Sequence, residues 1–319
     1  MKILDYSPDH LPELAALYND LTRAVPHCYP ALAQELAGAI AGEYGLESSG
    51  QHLAVESVFL ASDGELLGFV HVGERDQPRK ENGEEDGEED GEEEESGGSS
   101  TGVIRFLGYR RGCRDAGQAL LETAENWFRE RQISSVTVFP QAFRYPFYGF
   151  AHISISDRLD HVQALFFNNG YSVSEGEYVL DWPNFDPVFP EAPAGFDVDI
   201  YAQRTPSSGA LPDVTLKAHL DDEQIGECVF IGASAFSRRE EAQSWAFCNW
   251  LGVEEPYRRR GLGLYLLRLA LVEVHDAGYI HAAISTALEN YRALLFYTNY
   301  GFHVVDTTRQ FSRQLPENG

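Results

Sequence analysis

Positive charge is scarce in this chain: 24 lysines and arginines stand against 50 aspartates and glutamates, for a formal net charge of -26. A surface with that balance repels phosphate backbones, so no nucleic-acid partner is expected. Long apolar runs are missing too. Nothing approaches the roughly 20 residues of a membrane-spanning helix, and no membrane partner is expected. The opening stretch, MKILDYSPDHLPELAALYNDL, lacks the basic, apolar and small-residue order of a secretory signal, which makes a cytoplasmic location the expectation. Cysteine is limited to Cys28, Cys113, Cys228 and Cys248, with no CxxC and no histidine at metal-ligand spacing. Reduced thiols and no metal centre are expected from that pattern. HExxH, GxSxG and GxxxxGK[ST] are all absent, which removes the commonest zinc-hydrolase, serine-hydrolase and P-loop readings.

Much of the acidic excess lies in KENGEEDGEEDGEEEESGGSS, from Lys80 to Ser100. So polar and self-repelling a tract predicts a disordered loop over about 80–101. From Asp86 it places Gly91 as a calcium-binding loop would, but Gly97 stands where the closing bidentate glutamate belongs, so it reads as solvated chain.

What is present is a repeat. SVFLASDGELLGFVHVG (Ser57 to Gly73) and VTLKAHLDDEQIGECVFIG (Val214 to Gly232) each read as strand, turn, strand, with Gly68 matching Gly226. Gly102 to Gln141 and Phe247 to Thr286 follow as strand, basic glycine loop, helix and strand. Their helices carry apolar stripes at three- and four-residue spacing: Leu120, Leu121, Ala124, Trp127 and Phe128 in one, Leu266, Leu267, Ala270, Leu271 and Val274 in the other. HVQALFFNNGY and YRALLFYTNYGF close the units, each a helix ended by glycine before a last strand. The chain length suits two domains. The four prolines of Trp182 to Gly195 mark the joint, giving domains over 1–182 and 196–319 and a linker over 183–195.

With these motifs in this order, the chain resembles a tandem member of the GNAT N-acetyltransferase superfamily, and its architecture is similar to that of mycothiol synthase. The resemblance is stronger from Val214 onward. It implies an α/β (α+β) fold of two GNAT-like units, each a mixed, mainly antiparallel twisted sheet flanked by helices, with a splayed strand pair holding acetyl-CoA as co-substrate. The family's pyrophosphate motif, [QR]xxGx[GA], is met by Arg258, Gly261 and Gly263 in YRRRGLGLYLL. Glycines let a backbone turn with its N–H groups toward an anion, and the following helix adds its positive end. By resemblance, Leu251, Gly252 and Val253 line the thioester, Arg259, Arg260 and Leu262 complete the cofactor loop, Asn290 lies near the cofactor arm, and Tyr297 protonates the departing thiolate. A phenol, protonated at neutral pH, suits that last role. Candidate bases for the incoming ammonium are Glu227, Glu254 and Glu255.

The implied reaction is acetyl transfer to a small-molecule or peptide primary amine by direct attack in the second unit. Alternatives are a mycothiol-synthase-like acetyltransferase and a non-catalytic acyl-CoA-binding regulator. In the first unit, aligning the helix leucines puts Gly112 where the motif has arginine, Asp115 at its first glycine, Leu159 at the asparagine and Phe166 at the tyrosine. This unit is expected to be degenerate, since phenylalanine donates no proton. It also carries an aromatic insertion, Ala142 to Ser156, read either as a loop packed on the other unit or as a lid or acceptor wall. The second unit lacks the two helices that usually roof the acceptor site, so surfaces of the first unit are expected to complete it.

Overall fold

The computed structural model describes residues 1–43, 52–75, 100–193 and 198–316. The acidic tract and the end of the linker therefore lie outside the described residues. The first unit comprises β1 (Lys2–Asp5), α1 (Leu11–Thr22), α2 (Ala33–Ile40), β2 (Leu53–Ser62), β3 (Leu66–Arg75), β4 (Thr101–Tyr109), α3 (Arg114–Glu130), β5 (Ser135–Val138), β6 (Ile155–Ser156), α4 (Asp160–Asn168) and β7 (Ser172–Trp182). The second comprises β8 (Asp199–Thr205), β9 (Asp213–Leu220), β10 (Glu223–Gly232), β11 (Trp245–Val253), α5 (Leu262–Asp276), β12 (His281–Ala287), α6 (Tyr291–Thr298) and β13 (His303–Gln314). From the hairpin onward the two runs have the same order of elements, as the repeat predicts, except for the short β6 that the aromatic insertion adds to the first. No helix among the described residues is long and apolar enough to cross a membrane.

Local chemistry accounts for the turns. Gly64 closes the first hairpin at φ 84°, and the second turns on Asp221 and Asp222, both at positive φ, which aspartate tolerates better than most residues. The helix stripes are buried as their spacing requires: Leu120, Leu121, Ala124, Trp127 and Phe128 on α3, and Leu266, Leu267, Ala270, Leu271 and Val274 on α5. Gly68 and Gly226 let these helices close on the sheet. A Cβ at Gly68 would come within 3.0 Å of Leu120, and one at Gly226 within 2.9 Å of Leu266. The same contact in both units fixes their register and equates Leu120 with Leu266.

The strands form one sheet in the order β1-β2-β3-β4-β5-β13-β7-β12-β11-β10-β9-β8, with β6 also paired to β13. Pairing is antiparallel except for β4 with β5 and β11 with β12. The expected boundary at 182/183 divides the chain but does not divide this sheet. β7 precedes the linker yet pairs with β12 of the second unit, and β13 ends the second unit yet pairs with β5 of the first. Each unit thus places its last strand beside the other's parallel pair, and β7 pairs with β13 along the seam. The exchange buries two edges that would otherwise present unpaired backbone.

Separating the units should therefore unfold the second. Residues 183–319 expressed alone are expected to show no cooperative thermal transition by circular dichroism, and co-expression with residues 1–182 to restore one. A cooperative transition from the isolated fragment would contradict this reading of the seam.

Candidate active site

The second unit's sheet opens between its parallel strands. β11 and β12 pair only from Trp245↔His281 to Cys248↔Ile284. Beyond that point β12 stays with β7 as far as Ala287↔Glu177, while β11 stays with β10 as far as Val253↔Gly226. The register of β11 shifts at Asn249, an extra residue between Cys248 and Trp250. Such a bulge bends its strand and strengthens the twist, which accounts for the divergence. Leu251, Gly252 and Val253 lie on the free side of this opening. The Asn249 side chain makes no hydrogen bond to the described residues, and Trp250 is 58% exposed.

At the same end of β11 the basic loop enters α5. Gly261 is the N-cap at φ 90°, a left-handed conformation that glycine adopts without strain, and no side chain caps the helix. The first N–H groups of a helix have no intrahelical acceptor, so those of Leu262 and Gly263 remain available. Space is available too: a Cβ on Gly263 would meet nothing nearer than Val253 at 3.6 Å, and one on Gly261 nothing nearer than Pro193 at 3.5 Å. Arg258, Arg259 and Arg260 are exposed. Arg258 turns back, its Nε donating to the Val253 carbonyl at 2.7 Å, and so ties the loop to the strand end.

Tyr297 lies in the core beneath α5, 7% exposed. Burial pushes its phenol well above the ordinary tyrosine range, with Cys248, Cys228 and Glu177 nearby adding to the shift. Its hydroxyl stays protonated throughout the physiological range. That hydroxyl makes no hydrogen bond to the described residues and is not sealed from solvent. Cys248 is the last β11 residue paired to β12, so Tyr297 lies close to the apex of the opening. Asn290 is the N-cap of α6, its side-chain oxygen accepting from the Ala293 N–H at 3.2 Å. Of the three carboxylates considered as bases, Glu254 and Glu255 are exposed beside the loop. Glu227 pairs across from Gly252 and lies 3.5 Å from Lys217.

Residues 177–302 match the model of the acetyltransferase (GNAT) family. This segment runs from within β7 to the residue before β13 and contains the opening, the glycine loop, Asn290 and Tyr297. The second unit is a GNAT acetyltransferase domain. No curated protein matches the chain. Among solved structures, a fungal multi-domain β-N-acetylglucosaminidase described as having a GCN5-related glucosamine N-acetyltransferase region is similar at TM-score 0.65 and 16% identity, over 98% of this chain and 38% of that one. The chain thus spans well under half of that protein. A tandem GNAT protein from the clavulanic acid biosynthesis pathway is similar at TM-score 0.64 and 14% identity, over 100% of this chain and 99% of that one. A GCN5-related N-acetyltransferase from Sphaerobacter thermophilus gives 0.59 and 16%, over 99% and 96%. These likenesses carry the fold, a tandem GNAT architecture.

Within that architecture the first unit has the same opening, filled. β4 and β5 pair from Thr101↔Ser135 to Ile104↔Val138 and then part, and the register of β4 shifts at Arg105, the counterpart of Asn249. Arg105 is fully buried. Its Nε donates to the Phe143 carbonyl at 2.8 Å, and its Nη atoms to Glu56 at 3.0 Å and to the carbonyls of Glu43 and Ala39. Breaking such a buried charge pair costs about 3–5 kcal/mol, so Arg105 is a structural plug. Phe106, the counterpart of exposed Trp250, is enclosed by the rings of Phe69, Phe139, Tyr145 and Tyr148. Tyr109 replaces Val253, and a Cβ on Gly117 would come within 2.5 Å of its ring. Asp115 places a carboxylate in the first turn of α3. Finally, Gln118 and Asn169 exchange amide hydrogen bonds at 3.0 and 3.1 Å and hold α3 to α4. No hydrogen bond joins α5 to α6 among the described residues.

The aromatic insertion also reaches the second unit. Phe150 stacks on Phe247 of β11 at 4.9 Å and forms a cluster with Ala283, Phe236 and Ala233, on the face of the sheet opposite α5. His152 lies over the same Phe247, ring centroids 6.4 Å apart. His27, in the loop after α1, bonds Asp181 of β7 at 2.7 Å and stacks on Phe150. The insertion's packing on the other unit is one of the two readings the sequence offers for it; Asn249 and the His27–Asp181 contact escape the sequence, because a bulge and a single long-range bond have no periodic signature.

The Tyr297 hydroxyl is open to solvent and has no partner among the described residues, so removing it breaks no bond of the fold. Tyr297→Phe is therefore expected to leave the urea midpoint unchanged or raise it, by up to about 1 kcal/mol in unfolding free energy. A loss of about 1 kcal/mol or more would show that the phenol is bonded within the fold.

Proposed function

We propose that the second unit transfers an acetyl group from acetyl-CoA to a primary amine by direct attack. The observation that carries this reading is the coincidence, at one end of β11, of an opened sheet and an uncapped, glycine-lined helix start. The helix start and Gly263 bind the diphosphate through main-chain N–H groups, with Arg259 and Arg260 adding positive charge. Main-chain groups of Leu251 to Val253 hold the arm of the co-substrate and favour the negative charge that develops on the thioester oxygen. The neutral amine nitrogen bonds to the acetyl carbon and the carbon–sulfur bond breaks; the Tyr297 hydroxyl gives its proton to the leaving sulfur, and the proton lost by the nitrogen passes through solvent and restores the phenol.

Because α5, α6 and the loop occupy one face of the sheet, the amine approaches from the other. Phe150, His152 and the His27–Asp181 pair lie on that side. The acceptor site is thus composite, with the first unit supplying the wall that helices provide in its own half.

The test separates binding from transfer. By calorimetry, Tyr297→Phe is expected to bind acetyl-CoA with wild-type affinity. In a thiol-release assay over a panel of primary amines, its turnover is expected to fall by about 10²-fold or more. Acetyl-CoA binding with no Tyr297-dependent transfer to any amine would replace this reading with that of an acyl-CoA-binding protein.

A further inference from the structure

The filled first unit retains a cavity of about 340 Å³ at the end of β4, lined by Arg23, Arg110, Arg111, Arg158, Tyr109 and His161 among others. Four arginines lining one hollow are conspicuous in a chain of net charge -26, although the Arg158 head group also donates to the Val305 carbonyl at 3.2 Å. Their direct carboxylate partners are two: Asp20, 2.7 Å from Arg110 and 3.6 Å from Arg23, and Asp160, 2.7 Å from Arg111. Four positive charges against two negative leave an excess of about two. Like charges so placed repel unless an anion lies between them.

The floor is preorganised. The Tyr109 hydroxyl donates to the His161 carbonyl at 2.9 Å, and His161 Nε2 bonds the Tyr109 carbonyl at 2.9 Å. That reciprocal pair closes the way inward, toward the plugged opening, and leaves the hollow facing outward between α1 and α4. His161 Nδ1 is sealed from solvent and makes no hydrogen bond, with Asp160 3.5 Å away. Buried polar atoms are seldom left so.

The repeat shows how the cations were redistributed. Arg110 N–H donates to the Leu67 carbonyl as Glu254 N–H does to that of Ile225, so Arg110 and Arg111 stand where the second unit has Glu254 and Glu255. The second unit carries its three loop arginines on the helix side, at 258–260; the first keeps Arg114 at the start of α3 but carries Arg110 and Arg111 on the strand side, lining the cavity. We infer that this cavity binds a compact polyanion, of diphosphate or phosphate-ester type, and excludes coenzyme A.

The experiment is calorimetric titration of the full chain with inorganic pyrophosphate, and in a parallel arm with citrate. Coenzyme A is present at saturation throughout, so that the second unit's loop is already occupied. One pyrophosphate per chain is expected, binding at least tenfold more tightly than citrate. Arg158→Gln is expected to weaken it at least tenfold, as is Ala24→Glu, which adds a carboxylate at the exposed rim without removing any contact. Absence of pyrophosphate heat, tighter binding of citrate, or heat unchanged in Ala24→Glu would overturn the inference. Two coenzyme A molecules per chain in the preliminary titration would overturn it as well. Failure of coenzyme A to bind at all would instead count against the second unit's proposed role, and the pyrophosphate result would still be read from Ala24→Glu.

Discussion

In both units a parallel strand pair holds for four residues and then separates, because an extra residue bends one strand away: Asn249 in β11, Arg105 in β4. A parted pair leaves backbone groups without strand partners, and buried backbone does not remain in that state. Something must fill the gap. In the first unit the protein fills it itself, with a guanidinium, four aromatic rings and a tyrosine over the loop glycine. In the second it does not, and the unsatisfied groups lie beside an uncapped helix start and an unbonded phenol. The difference between the packed and the open unit is thus one of occupancy, built on a shared backbone.

The seam explains why the filled unit persists. β7 and β13 pair antiparallel over most of their length, each beside the other unit's parallel pair, so the first unit supplies a strand on which the second unit's opening depends. It also supplies cover. The segment that plugs the first opening continues into Phe150 and His152, which pack on β11 from the face opposite α5. One insertion packs into one opening and against the strand that borders the other.

Much of this was legible in the residues. The hairpins, both helix stripes and the loop glycines follow from periodicity and turn chemistry, because each is a local constraint that survives any tertiary arrangement. The leucine alignment of the units is matched by the contacts of Gly68 with Leu120 and Gly226 with Leu266. The strand exchange was not legible: an antiparallel strand after a helix carries the same alternation whichever neighbour it finds. Nor were the roles of Arg105 and Asn249, since a bulge is set by the competing hydrogen-bond registers of two strands and not by the residue that absorbs it. Asn290 was read beside the cofactor arm by resemblance, and the fold shows it capping α6, a role that leaves the other open.

The central claim is that only the second opening admits the co-substrate. Hydrogen–deuterium exchange with and without acetyl-CoA tests it most directly, because unpartnered amides in the two openings report separately. The account predicts new protection at 249–253 and 261–264 and no change at 105–109 or 114–117. Protection confined to the first unit, or none at the glycine loop, would contradict it.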